Sequence, residues 1–124
     1  MSLMQGKRGL IMGVANDKSI AWGIAEELAD QGAELAFTYA GDMLEKRVRP
    51  LAESVNATHV LPCDVTNDDD IDNVFHTLCK NGEKLDFIVH AIAFADKDEL
   101  RGRMINTSRE NFKTAMDISC YSFI

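Results

Sequence analysis

The segment with the clearest chemical potential is residues 13–23, GVANDKSIAWG, which follows a short apolar run and opens a helical pattern. Gly13 lets the backbone leave a strand sharply and approach a ligand with no Cβ in the way. Ser19 stands at the expected helix start, where its hydroxyl and the N–H of Ile20 are able to face a diphosphate. The spacing is not the G-x-G-x-x-G fingerprint. An ordinary long loop with a serine cap therefore explains these residues equally well.

Two more places put chemically useful groups directly after an apolar run. Asp64 and Val65 follow the third run, and His90 follows the fourth. Taken alone, Asp64 is expected to cap the loop before the next helix, where acids are common. His90, taken alone, is better interpreted as a structural histidine than as a catalyst.

The elements that must position these residues alternate in type. Four short apolar runs recur about 25 residues apart, as strands buried on both faces do. They are Leu10-Ile11-Met12, Leu35-Ala36-Phe37, Val60-Leu61 and Phe87-Ile88-Val89. Helical stripes separate or follow them: Ile20, Ile24 and Leu28; Leu44, Val48, Leu51 and Val55; Ile71, Val74, Phe75 and Leu78; and Phe112, Ala115, Met116, Ser119 and Phe123.

This alternation predicts an α/β fold of the Rossmann type. Strands that alternate with helices pair in parallel through right-handed crossovers. We expect a doubly wound parallel sheet of strand order 3-2-1-4, with ligands bound in the crevice between strands 1 and 4, where the order reverses. Gly23 is expected to let the first helix lie close to the sheet.

Local signals predict where the helices begin and end. Asn67 or Asp68 is expected to cap the third helix and Ser108 the fourth. Gly32 and Gly82 are expected to end the first and third helices. Pro50 predicts a kink in the second helix.

Composition limits the class of protein. The chain has 124 residues, 46% of them hydrophobic, and a net charge of −7, which fits one soluble domain and argues against a general nucleic-acid binder. No apolar stretch reaches the roughly 20 residues of a membrane span, and no signal-peptide core is apparent. The cysteines and histidines lack metal-ligand spacing, so we expect no metal site and a reducing, cytoplasmic location. These are Cys63, Cys79, Cys120, His59, His76 and His90.

The carboxyl end of the sequence predicts an incomplete fold. The last apolar stripe still runs at Ile124, and strand 4 would remain an unpaired hydrophobic edge. We therefore expect residues 1–124 to be a single dinucleotide-binding domain that is incomplete at its C-terminal end, with later strands missing.

Several motifs, taken together, resemble one family. Residues 13–25 read GVANDKSIAWGIA, and the motifs CDV (63–65), HAIAFA (90–95), LRGR (100–103), TSRE (107–110) and DISCYSF (117–123) follow in order. They resemble the bacterial-type, NADH-dependent enoyl-acyl-carrier-protein reductases, a divergent branch of the short-chain dehydrogenase/reductase superfamily. The resemblance covers nearly the whole chain and corresponds to the cofactor-binding half of that family.

The resemblance implies a function in fatty acid biosynthesis. It implies NADH-dependent reduction of the trans-2 double bond of an enoyl thioester carried by acyl-carrier protein, in a homotetrameric enzyme. The cofactor-binding residues that it implies are Gly13, Ala15, Ser19, Ile20, Asp64, Val65 and Ile92, with Ala95 on the substrate side. Asp64 and Val65 would meet the adenine, and Ile92 would lie against the ribose.

The end of strand 2 favours NADH over NADPH. A 2′-phosphate needs a nearby cation, whereas Ala40 and Gly41 offer none and Asp42 would repel it. Lys46 and Arg47 follow a turn or more later and weaken this prediction.

The catalytic pair of the family is not expected in this chain. Tyr39 and Lys46 match its Tyr-x6-Lys spacing, but Tyr39 ends strand 2 on the adenine side, so the match is a coincidence. Tyr121 is followed by only three residues. A catalytically inactive nucleotide-binding or oligomerising fragment, or another short-chain reductase, is the alternative function.

Acidic residues lie among Arg101, Arg103 and Arg109, which therefore predict a solvated loop of mixed charge.

Overall fold

The four apolar runs form the strands of one parallel sheet. The computed structural model describes residues 2–124, which divide into two compact units, one reaching to Ala91 and one spanning Ile92–Ile124. The elements of the first unit are β1 (Arg8–Met12), α1 (Ile20–Asp30), β2 (Glu34–Tyr39), α2 (Asp42–Ser54), β3 (His59–Pro62), α3 (Asp68–Leu78) and β4 (Phe87–His90). The second unit contains α4 (Arg109–Ser119) and short 3₁₀ turns at Lys97–Leu100, Met104–Asn106 and Tyr121–Phe123.

The sheet has the predicted order, β3-β2-β1-β4, with every pair parallel. The Rossmann-type α/β fold is therefore confirmed. Met12 is level with Thr38 on one side and with His90 on the other, so β1, β2 and β4 end at the same edge. The order reverses between β1 and β4, which makes that edge the natural ligand-binding edge.

One apolar core joins the sheet to α1 and α2. Ile11 and Phe37 are fully buried in this core, and the ring centroids of Trp22 and Phe37 lie 6.2 Å apart. Val74 and Leu78 of α3 are buried outside this cluster, as expected if right-handed crossovers place α3 on the opposite face of the sheet. None of the helices between residues 2 and 124 combines the length and apolar character needed to cross a bilayer.

The buried face of α1 differs from the predicted one at Ile20 and Ile24, whereas Leu28 packs against the core as predicted. Ile20 is 81% exposed and Ile24 is 39% exposed, whereas Ala21, Trp22 and Ala25 are buried. The large Trp22 ring gains more from burial than a lone isoleucine, and the small alanines let the helix approach the sheet. The prediction for Gly23 was also wrong, because a Cβ built there meets nothing within 4 Å.

The predicted helix boundaries are mostly confirmed. The Asn67 side chain accepts a hydrogen bond from the Asp69 N–H (3.0 Å) and caps α3. Gly32 follows the end of α1 with a φ of +93°. The third helix stops at Leu78, short of the predicted end, and a separate 3₁₀ turn (Lys80–Gly82) contains Gly82. The second helix runs through Pro50 to Ser54.

The fourth helix is shorter than its apolar stripe. Ser108 caps it as predicted, accepting from the Asn111 N–H at 3.1 Å. The helix ends at Ser119, and Phe123 belongs to the 3₁₀ turn that follows. The turn Tyr121–Phe123 has the tighter i→i+3 bonding, so the 3.6-residue period stops before the stripe does.

Candidate functional site

Gly13 brings the ends of β1 and β4 into contact. Its φ is +109°, and a Cβ built there would lie 2.1 Å from the Ala91 carbonyl oxygen. The Ala91 N–H donates to the Met12 carbonyl at 3.0 Å, which holds the two strand ends together. A glycine is therefore required at position 13, where the backbone leaves β1 without a side chain.

Ser19 organises the loop that follows Gly13. Its Oγ accepts hydrogen bonds from the N–H groups of Ala15 (2.9 Å) and Asn16 (3.1 Å), and the Asn16 side chain accepts from the Lys18 N–H (2.8 Å). Ser19 is the residue before α1, but its side chain caps none of the helix N–H groups. The ordinary serine cap is thus not formed. The hydroxyl hydrogen is not used by these two bonds, and it remains a donor for a ligand.

The start of α1 is suited to an anion. Ile20 and Ala21 are its first residues, whose N–H groups have no acceptor inside the helix. No acidic side chain lies in the first turn to offset the positive end of the helix dipole. Ile20 is also largely exposed. A phosphate oxygen at this position would meet N–H donors, the dipole and the Ser19 hydroxyl together.

Asp64 follows β3 and is exposed at the same edge of the sheet. Its Oδ1 accepts from the Thr66 N–H (2.9 Å) and the Thr66 hydroxyl (2.6 Å), and these bonds hold the pKa of its carboxyl below the usual value. The Asp64 N–H donates to Asp70 (2.9 Å). Oδ1 of Asp64 therefore caps the loop before α3, as the sequence predicts. Among residues 2–124, the structure gives Oδ2 no hydrogen bond, so a ligand could use it.

The neighbours of Asp64 anchor this turn in the core. The Cys63 N–H donates to the Tyr39 carbonyl at 2.8 Å, and both Cys63 and Val65 are buried. Burial, and to a lesser extent the negative charges of Asp70 and Asp64, raise the pKa of Cys63 to about 11. Its thiol is therefore a neutral packing group.

The end of β2 presents negative charge. Tyr39 is its last residue, as predicted, and its pKa is raised by burial and by a hydrogen bond to Glu45. Asp42 and Glu45 lie in the first turn of α2, and Arg49 is paired with Glu45 at 3.0 Å. Tyr39 thus belongs to a network with Glu45 and Arg49. The cation of Arg49, about two turns into the helix, is partly neutralised by Glu45.

Ile92 and Ala95 belong to the second unit, in a segment without helix or strand. Both are half-buried. Between them, the N–H of Phe94 donates to the Ser119 Oγ at 3.0 Å. Sequence reasoning missed Ser119 as a functional candidate and counted it in the apolar stripe of α4. One feature of the sequence points to Ser119: it is the one polar residue in the otherwise apolar stripe of α4.

The structure thus brings part of the predicted site together. The loop and helix start hold four of the predicted residues, and the end of β3 holds two more at the same edge: Gly13, Ala15, Ser19, Ile20, Asp64 and Val65. Within residues 2–124, no three His, Cys, Asp or Glu side chains gather as ligands of a metal would.

Comparison with known proteins identifies close relatives of the whole chain. A family model described as enoyl-(acyl carrier protein) reductase matches residues 13–124. The enoyl-acyl-carrier-protein reductase (NADH) 2 of Rhizobium meliloti is 60% identical over 98% of this chain and 45% of its own length. The enoyl-acyl-carrier-protein reductase (NADH) FabI of Aquifex aeolicus is 55% identical over 100% of this chain and 46% of its own length.

Two solved structures are similar over nearly all of the chain. The reductase of Anaplasma phagocytophilum in complex with NAD has a TM-score of 0.92 and 55% identity, covering 97% of this chain and 46% of that one. The reductase of Bacillus cereus with NADP+ and an indole naphthyridinone has a TM-score of 0.94 and 48% identity, covering 98% and 48%. The chain spans slightly less than half the length of the relatives it matches.

Proposed function

The chain belongs to the enoyl-(acyl carrier protein) reductase family, and from this premise we propose that it forms the dinucleotide-binding part of such an enzyme. The reaction is the reduction of the trans-2 double bond of an enoyl thioester on acyl-carrier protein, with NADH as the hydride donor. Hydride passes to the β-carbon, and the enolate that develops needs a hydrogen-bond donor. The observation that carries this proposal is the anion-binding arrangement at the start of α1.

Residues of the first unit would hold the diphosphate. The N–H of Ile20 and the hydroxyl hydrogen of Ser19 donate to phosphate oxygens, while Gly13 keeps the approach free of side chains. Ala15 contributes through its N–H, which fixes the orientation of the Ser19 oxygen (2.9 Å). Both lone pairs of that oxygen face backbone donors, so its hydrogen is directed elsewhere.

The adenine and ribose contacts follow from the other predicted residues. Oδ2 of Asp64 accepts from the exocyclic amine of adenine, and the Val65 N–H donates to a ring nitrogen. The burial of the Val65 side chain supports this, because it fixes the backbone beside it. Ile92 lies against the ribose and Ala95 on the substrate side. These assignments, like the adenine contacts of Asp64 and Val65, rest on the family relationship.

NADH is the preferred cofactor in this proposal. The acids Asp42 and Glu45 stand at the start of α2, and Glu45 already pairs with Arg49. A 2′-phosphate there would meet negative charge and no unpaired guanidinium from Arg49. The relatives support the choice in part, because the curated ones are named for NADH while one solved structure carries NADP+.

The groups that complete the reaction would lie outside residues 1–124. Tyr39 is engaged with Glu45 and Arg49, and Tyr121 is 60% exposed in a 3₁₀ turn. We place the catalytic tyrosine and lysine in a further part of the polypeptide. The enzyme would act in the cytoplasm as a homotetramer, with acyl-carrier protein as its partner.

NADH oxidation dependent on a crotonyl thioester tests the reaction. We expect none from residues 1–124 and activity from a polypeptide extended to the length of the relatives. Activity from residues 1–124 alone would overturn the placement of the catalytic groups. NADH affinity without activity in the extended polypeptide would instead favour a nucleotide-binding protein.

A binding measurement tests the site. In the extended polypeptide, Ser19→Ala should raise the Kd for NADH about tenfold, because one hydrogen bond to a charged phosphate is lost and the loop loosens. Ser54→Ala is the matched control, since Ser54 Oγ only donates to the Leu51 carbonyl in an exposed turn of α2. Equal NADH affinity of the two variants would refute the proposed diphosphate site.

A further inference from the structure

The segment before the turn Lys97–Leu100 has no regular structure of its own. Residues 92–96 belong to no helix and no strand, so their backbone lacks the ladder of bonds that holds a sheet. Ala95, the residue proposed for the substrate side, lies in this segment. Its position must therefore be fixed by side chains from elsewhere in the second unit.

Ser119, the last residue of α4, binds the backbone on one side of Ala95. Its Oγ accepts from the Phe94 N–H at 3.0 Å and lies 3.3 Å from the Phe94 carbonyl oxygen, to which the hydroxyl donates. One hydroxyl thus satisfies both polar groups of a single peptide residue. This grip restricts both the position and the rotation of the chain at Phe94.

Asn111, in the first turn of the same helix, binds the backbone on the other side. Its Oδ1 accepts from the Asp96 N–H at 3.0 Å. The two anchors stand eight residues apart on α4, a little over two helical turns. The residues on both sides of Ala95, Phe94 and Asp96, are therefore hydrogen-bonded to side chains of the same helix, α4.

The anchor at Asn111 is itself braced. The Ser108 Oγ accepts from the Asn111 N–H (3.1 Å) and donates to Glu99 (2.7 Å), whose other carboxylate oxygen accepts from the Ser108 N–H (3.2 Å). The Glu99 N–H donates to the Asp96 carbonyl at 3.0 Å. These bonds form a closed ring through Asp96, Asn111, Ser108 and Glu99. Such a ring resists displacement of any one member more than a single bond does.

We infer that Ser119 and Asn111 are positioning residues that fix the backbone around Ala95 and thereby shape the enoyl-thioester side of the site. The inference rests on the proposed function for the role of Ala95, whereas the contacts themselves do not depend on it. Neither side chain needs to touch substrate or cofactor. Both act through the peptide segment between them.

The test compares Ser119→Ala with Ser119→Thr, and Asn111→Ala with Asn111→Asp, in the extended polypeptide. The conservative variants keep a hydroxyl or a carbonyl-type oxygen at the same place. Lys113→Ala is the control on α4, because Lys113 is exposed and makes only a 3.9 Å ion pair with Glu110. Each variant is assayed for kcat, for the KM of the crotonyl thioester and of NADH, and for amide hydrogen exchange at residues 94 and 96.

The alanine variants should raise the thioester KM about fivefold, the equivalent of one ordinary hydrogen bond, and leave the NADH KM within about twofold. Exchange at the Phe94 amide in Ser119→Ala, and at the Asp96 amide in Asn111→Ala, should be about tenfold faster. The conservative variants should recover most of both effects, and Lys113→Ala should show neither.

Two results would overturn the inference. An unchanged thioester KM in both alanine variants would show that the segment does not depend on these anchors. A parallel rise of both KM values that the conservative variants fail to reverse would show only a general loss of structure. Failure of the proposed function looks different: the unmutated polypeptide would then oxidise no NADH with the thioester, while the exchange data would still report the anchors.

Discussion

The Gly13→Ala substitution tests the tight junction between β1 and β4. Two separate costs apply to it. The φ of +109° is a conformation that L side chains rarely adopt, which costs on the order of 1–3 kcal/mol. The added methyl would also lie 2.1 Å from the Ala91 oxygen and 2.6 Å from the Ala91 carbonyl carbon.

The steric cost follows from how far the backbone must move. Real Cβ contacts essentially never fall below 3.0 Å, so Ala91 or residue 13 must shift by almost 1 Å. The Ala91 N–H to Met12 carbonyl bond of 3.0 Å opposes that shift. Forced overpacking of this kind costs a further 1–3 kcal/mol, roughly. We expect a total loss of about 2–6 kcal/mol from a free energy of unfolding of about 5–15 kcal/mol.

Urea denaturation followed by circular dichroism measures the loss, and Gly82→Ala is the matched control. Gly82 has a φ of +77°, and a Cβ there meets nothing within 4 Å, so the control carries only the conformational cost. The difference between the two variants isolates the contact with Ala91. Equal losses of unfolding free energy in both would refute the steric argument and the close approach of the two strand ends.

Three further predictions concern stability and thiol reactivity. Arg8→Lys should lower the free energy of unfolding by about 2 kcal/mol in urea denaturation. The Arg8 guanidinium donates to the carbonyls of Lys84 (2.8 Å) and Leu78 (3.0 Å) and pairs with Glu83 at 3.1 Å, and lysine cannot make all three contacts. An unchanged free energy of unfolding would contradict this prediction. Asn67→Ala should cost about 1 kcal/mol in the same assay through the lost helix cap, and an unchanged midpoint would count against it. Iodoacetamide at pH 8 should alkylate the exposed Cys120 and spare Cys63, whose pKa near 11 keeps it a thiol until the pH rises toward that value; equal labelling by mass spectrometry would disprove its burial.

The candidate site divides into predictable and unpredictable parts. Gly13 was proposed from its place at the end of an apolar run, and Asp64 and Val65 were proposed from the family resemblance. The structure places all three at one edge of the sheet, because parallel strands end at the same edge. The role of Ser19 could not be read in the same way. Its hydroxyl oxygen accepts from the N–H groups of Ala15 and Asn16 instead of capping α1. Which of these N–H groups the oxygen reaches depends on the conformation of the loop between β1 and α1.

The sequence by itself determined the strands, their parallel order and most helix starts, because these depend on local periodicity, caps and the handedness of short connections. Only the tertiary structure decided the rotation of α1, where Trp22 is buried and Ile20 is exposed, and the bond between Ser119 and Phe94. Both are settled by contacts between residues distant along the chain. Such contacts depend on how the surfaces of different elements pack together, and a local pattern of residue types does not determine that packing.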